Sequence, residues 1–200
     1  MINKEIKNIY EYAKKNNVLM NVTIELLTNC NWKCKHCYIP KHNNNGLKKE
    51  ELFSLFEELR GLGCFEITFT GGEMLLREDI MHILKNAREM FFNVILFTNV
   101  SLLNEEKIKK LSDIGVFQIS CTIFSLNEDI HDEITGIKGS LKETLKNIKL
   151  IKKYRIPLEV KTILMKTNKF EYKQIQSFCD KNDFKYIEVH KDNPTILYIP

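Results

Sequence analysis

Residues 20–38 read MNVTIELLTNCNWKCKHCY, and the fold follows from how this stretch is parsed. Residues 20–27 form a short apolar, β-branched run, the mark of a strand. The run stops in a Thr-Asn-Cys-Asn loop that carries three of the six cysteines, Cys30, Cys34 and Cys37. Residues 64–73, CFEITFTGGE, repeat the arrangement: a strand over 64–70, then Gly71, Gly72 and Glu73. Between the two strands lies a polar loop, HNNNG at 42–46, and then a helical face made by Leu47, Leu52, Phe53, Leu55, Phe56 and Leu59. Strand, helix, strand in this order is a βαβ unit with parallel strands.

The pattern continues outward. Further strands are expected over 92–98, 116–124, 158–165 and 184–189, with helices over 77–90, 105–111, 140–154 and 169–180. The strands read as nearly continuous apolar runs, which predicts a sheet covered on both faces. The fold class is therefore α/β, a partial (β/α)6 TIM-like barrel of parallel strands. Residues 1–19 read as an N-terminal helical extension and 20–200 as one core domain. In such folds chemistry sits on the loops after the strands. The cysteine loop and Gly71-Gly72-Glu73 fall on that rim, and so do His131 and Asp132, read as a loop after the fourth strand.

Composition narrows the function classes. The chain has 200 residues, 44% hydrophobic and 28% charged, enough to bury a core. Residues 1–100 carry 13 basic and 12 acidic groups, and 101–200 carry 17 and 14. A net charge of +4 spread this evenly predicts neither a nucleic-acid nor a membrane partner. The first twenty residues hold no signal-peptide core, and no run reaches the ~18–20 apolar residues that cross a bilayer. The expected location is the cytoplasm, where thiols stay reduced.

In a reducing compartment, a cysteine cluster points to metal or catalysis. The spacing C-x3-C-x2-C lets one loop wrap three soft thiolates around one centre. Zinc would need a fourth ligand, from His36 or His42. A four-iron cluster would keep one iron without a protein ligand. The plainest alternative is three incidental thiols. Cys64, Cys121 and Cys179 lie in apolar runs and read as small core residues. Trp32, inside the cysteine loop, is expected to shield the centre from solvent.

The cysteine spacing followed by Gly71-Gly72-Glu73 on the next strand end resembles the radical S-adenosylmethionine (SAM) superfamily. His36 occupies the position often aromatic in that motif, and Tyr38 follows the last cysteine, as in many members. Further along, ISCTIFSLNEDIHDEITGIKGSLKETLKNI and LEVKTILMKTN look like the branch that modifies ribosomally made peptides. That branch usually adds a C-terminal SPASM-type domain with auxiliary-cluster cysteines. This sequence ends near the sixth strand without them, so a truncated core or a piece of a longer protein is expected.

The resemblance implies a [4Fe–4S] cluster on Cys30, Cys34 and Cys37 and SAM on its open iron. Reductive cleavage would then give a 5′-deoxyadenosyl radical that abstracts hydrogen from a peptide. Gly71 and Gly72 would let backbone approach the methionine moiety, with Glu73 or a nearby carbonyl accepting from its ammonium. Thr98 and Ser120 would face the ribose or carboxylate, and Tyr38 the adenine. Lys161 would pair with the SAM carboxylate, Glu159 or substrate. His36 completes the cofactor-binding set, and His190 would lie under the adenine. The implied electron donor is of flavodoxin or ferredoxin type. His131 and Asp132 would touch substrate or cap a turn, the second being favoured. Two other readings stay open: a radical SAM enzyme acting on a small molecule, and an inactive cluster- or zinc-binding barrel serving as a partner protein.

Overall fold

A computed structural model describes residue 9 and residues 11–189, with residues 11–15 helical. Six strands form one sheet: β1 (Asn21–Glu25), β2 (Glu66–Thr70), β3 (Asn93–Phe97), β4 (Gln118–Thr122), β5 (Leu158–Ile163) and β6 (Lys185–Val189). Their spatial order is their sequence order, and every pairing is parallel. Helices α1 (Lys49–Gly61), α2 (Ile80–Glu89), α3 (Glu105–Ile114), α4 (Glu128–Thr135), α5 (Ser140–Lys153) and α6 (Tyr172–Asn182) fill the crossovers. A short 3-10 turn, Met74–Leu76, follows β2.

All six expected strands are present, each shorter than its apolar run. The expectation of two covered faces is corrected. One face carries Ile67, Phe69, Val94, Leu96, Ile119, Cys121, Leu158 and Val160, all buried against Phe56, Leu84, Ile108, Ile148 and Ile175 of the helices. The other face carries Thr23, Glu25, Thr68, Thr70, Phe97, Gln118, Ser120, Thr122, Glu159 and Lys161, because successive strand residues point to opposite sides. It is a polar inner face, as suits an open barrel whose lumen receives ligands. The alternation was present in NVTIE, EITFT, QISCT and LEVKTI.

Helix α4 corrects the expected loop around His131. Asn127 caps it, its side chain accepting from the amides of Asp129 and Ile130, and Gly136 ends it at φ +69°. Only Ile130 and Ile134 gave it an apolar period, too little for periodicity to detect. His190 and residues 192–200 lie outside the described residues.

Candidate metal centre

The cysteine loop is held along its length by backbone contacts. Its start continues the sheet through the Leu26 amide, which donates to the Thr70 carbonyl at 3.0 Å. The amides of Gly72 and Glu73 donate to the carbonyls of Leu27 (2.9 Å) and Asn29 (2.8 Å). On the far side, the amides of Lys33 and Lys35 donate to the carbonyls of Thr135 (2.9 Å) and Ile134 (3.0 Å) at the end of α4. Asn31, between two of the cysteines, joins a ring of side chains with Ser101 and Asn99, each contact at 2.8 Å. The expected HNNNG loop is a built return: Asn43 and Asn44 amides donate to the Thr28 hydroxyl at 3.2 and 2.9 Å.

Cys30 and Cys34 are half-buried, Cys37 is exposed, and all six cysteines are free thiols. Burial pushes the Cys34 thiol up to about 12, with the negative neighbours Cys30 and Cys37 adding to the rise. Burial also raises Cys30, with contributions from Glu73 and Cys37. Cys30 and Cys34 thus lie where burial disfavours a thiolate, and a cationic centre would supply the countercharge and release their protons. Among the described residues no three His, Cys, Asp or Glu side chains converge as one metal ion requires. A cubane cluster instead spreads its thiolates over separate irons. Three soft thiolates carried on one loop are a donor set that fits an iron–sulfur cluster.

Trp32 is buried with Phe124 and Ile134, and Cys30 and Cys34 pack against this group. Trp32 forms the floor under two thiols, facing inward. His36 stands edge-on to Phe124, ring centroids 4.8 Å apart, and burial lowers its pKa, so the ring is neutral. His42 Nε2 lies 3.7 Å from the Cys37 sulfur.

Several residues expected at SAM have other partners here. Gly71 and Gly72 approach the cysteine loop itself: a Cβ on Gly71 (φ +132°) would lie 2.3 Å from the Leu27 carbonyl oxygen, and on Gly72 2.1 Å from that of Asn29. Glu73 is fully buried and caps the 3-10 turn. Its carboxylate accepts from the Thr98 hydroxyl (2.8 and 2.9 Å), the Asn99 amide (2.8 Å) and the Leu75 amide (3.1 Å). Burial raises its pKa against the pull of these donors. Glu73 and Thr98 therefore join the ends of β2 and β3 and hold each other.

Ser120 donates to Glu159 at 3.0 Å and accepts from Gln118 at 3.1 Å. Lys161 takes the Glu159 partner foreseen for it, at 3.3 Å, and its ammonium sits 3.4 Å from the centre of the Phe97 ring. Lys185 reaches the same carboxylate at 2.6 Å. Burial alone would raise the Glu159 pKa, but Lys185, Lys161 and Ser120 outweigh it and hold it low. Tyr38 is exposed and its hydroxyl donates to Glu25 on the inner face. The sequence reading missed Asn31, Asn99 and Ser101, whose polarity in a loop gave no pattern to read.

Asp132 caps the start of α5, accepting from the Leu141 amide (3.1 Å), the Ser140 hydroxyl (2.8 Å) and the Gly139 amide. His131 is fully buried and touches Ser140 at 3.0 Å through Nδ1, which removes it from any substrate surface. Burial depresses its pKa from 6.5 to about 4 despite the pull of Asp132. As pH falls below 6.5 the unfolded chain gains a proton that the folded chain refuses, so stability is lost across that window. The unfolding free energy from urea titration should drop by about 2 kcal/mol between pH 7 and pH 5, and His131→Phe should flatten the slope whatever its absolute stability. An unchanged slope in the variant would assign the acid sensitivity elsewhere.

Comparison with known proteins completes the picture. An AdoMet-dependent heme synthase of Methanosarcina barkeri is 30% identical over 147 residues, 72% of this chain and 42% of that protein. The sporulation killing factor maturation protein SkfB of Bacillus subtilis is 28% identical over 162 residues, 80% of this chain and 39% of that protein. The chain thus spans about two fifths of the length of these curated relatives. The crystal structure of Streptococcus suis SuiB bound to its precursor peptide SuiA has a TM-score of 0.79 at 16% identity, covering 94% of this chain and 43% of that one. That likeness shows the expected partial-barrel fold. The family model described as the radical SAM superfamily matches residues 24–180, which span the end of β1, the cysteine loop, the Gly-Gly-Glu turn and strands β2 to β5, and this chain belongs to that superfamily.

Proposed function

We propose that this chain is the core of a radical SAM enzyme that matures a ribosomally made peptide, with Cys30, Cys34 and Cys37 holding a [4Fe–4S] cluster. The observation that carries the reading is a loop of three thiols locked by backbone hydrogen bonds onto the Gly71-Gly72-Glu73 turn, at the rim of a polar inner face. When bound, the reduced cluster and SAM supply a 5′-deoxyadenosyl radical for hydrogen abstraction.

The chain's own residues do the positioning. Gly71 and Gly72 bring the second strand end against the thiol loop. Glu73 and Thr98 make that junction rigid. His36 and Trp32 give the thiols an apolar backing that excludes water. Tyr38 and Lys161 border the inner face where SAM and substrate meet, Lys161 offering its charge to a carboxylate. Support for a peptide comes from SkfB, a maturation protein, and from SuiB, crystallised with its precursor peptide. Reduction would come from a flavodoxin- or ferredoxin-type donor. Six free thiols, and the lack among the described residues of a helix fit to cross a membrane, suit a cytoplasmic enzyme. The heme synthase relative favours a second reading, a small-molecule substrate.

Anaerobic reconstitution tests the proposal. It should yield a brown protein with about four iron per chain, and dithionite with SAM should release 5′-deoxyadenosine. Faster release with a precursor peptide from a neighbouring gene supports peptide maturation, and faster release with a porphyrin supports the second reading. Zinc uptake with no iron, or a cluster that leaves SAM intact, overturns the enzymatic assignment.

A further inference from the structure

The segment from residue 26 to residue 48 is too long for an ordinary connection. Its two ends meet at one side chain. The guanidinium of Arg77, just past the 3-10 turn, is 9% exposed. Its Nη1 donates to the carbonyls of Leu26 (3.1 Å), Asn45 (2.9 Å) and Leu47 (3.0 Å). Its Nε and Nη2 grip the Asp79 carboxylate at 3.0 and 2.9 Å. Leu26 is where β1 gives way to the loop, and Asn45 and Leu47 are where the loop returns toward α1. Three carbonyl dipoles aimed at one point repel each other, and a cation at that point turns the repulsion into closure.

A second observation marks the same closure. Gly46 has φ +70°, and a Cβ there would lie 2.0 Å from the Leu26 carbonyl oxygen. The loop closes only because this position lacks a side chain. Neither residue touches a thiol, so their effect on the centre runs through the loop backbone.

We infer that Arg77 is the positioning residue of the cysteine loop, a planar fork that closes the loop's two ends and so sets where its thiols stand. The inference rests on the cluster reading for its consequence, although the clamp itself is a property of the metal-free chain. A lysine ammonium can meet the carbonyls, but it cannot also hold Asp79 in a fork.

The test pairs Arg77→Lys with Gly46→Ala, which attacks the same closure from the other side. Hydrogen–deuterium exchange on the metal-free chain should rise at least tenfold across residues 26–47 in either variant, with the amides of α6 unchanged. In reconstituted Arg77→Lys, iron should leave to a chelator at least tenfold faster, and the change that SAM produces in the electron paramagnetic resonance spectrum of the reduced protein should shrink. Wild-type exchange across 26–47 in Arg77→Lys overturns the clamp. Faster exchange with wild-type iron retention and a wild-type SAM-induced spectrum overturns its role in positioning. If the wild-type protein takes up no iron while exchange in the variant still rises, the cluster reading fails and the clamp stands.

Discussion

Cys34→Ser should leave less than about one iron per chain after reconstitution and no detectable cleavage of SAM. A serine hydroxyl in place of the thiol is a hard and poorly ionised donor where a soft thiolate is needed. The loop cannot adjust to offer a substitute, because it is tied on both sides of the residue: the Lys33 and Lys35 amides bond to Thr135 and Ile134. Cys30→Ser and Cys37→Ser should behave alike, with some retained iron in Cys37→Ser if His42, 3.7 Å away, takes over. Cys64→Ala, Cys121→Ala and Cys179→Ala are the controls. These thiols are buried in the core, away from the loop, so those variants should lose some stability and keep their iron. Iron and cleavage at wild-type levels in Cys34→Ser would remove the basis for the proposed site.

Gly72→Ala carries the second large effect. The added methyl would stand 2.1 Å from the Asn29 carbonyl oxygen and 2.5 Å from that of Thr28. Both obstacles are backbone, so relief requires the loop to move, breaking the hydrogen bonds of Gly72 to Leu27 and Glu73 to Asn29. The expected cost is about 3 kcal/mol or more, at the upper end for overpacking, together with loss of most bound iron. Gly61→Ala provides the contrast. It sits at the end of α1 with no atom within 4 Å of a new Cβ, and should stabilise by about 0.5 to 1 kcal/mol. Urea-denaturation midpoints and iron content measure both. Equal midpoints for the two alanine variants would show that the close approach at Gly72 does not exist in solution.

The strand count was legible in six apolar runs, and the rim position of the cysteines in residues 20–38 and 64–73, because parallel βαβ units leave a strong local signature. The same stretches misled about the second sheet face. Runs such as EITFT look apolar in bulk, and only their alternation shows that Thr68 and Thr70 point away from Ile67 and Phe69. Helix α4 escaped because eight residues with two apolar positions carry little periodicity, although Asn127 and Gly136 mark both of its ends.

The candidate donors were named from the sequence alone: thiolate chemistry and ligand spacing are properties of a few adjacent residues, and Cys30, Cys34 and Cys37 needed no coordinates to be singled out. What those residues lean on was decided by the tertiary structure. Glu73 and Thr98 meet across 25 positions of chain, Ser120 and Glu159 across 39, and Arg77 and Leu26 across 51. Hydrogen bonds between strand ends depend on register and on which loop returns where, and a polar residue in isolation does not reveal whether its partner is a ligand or another part of its own chain.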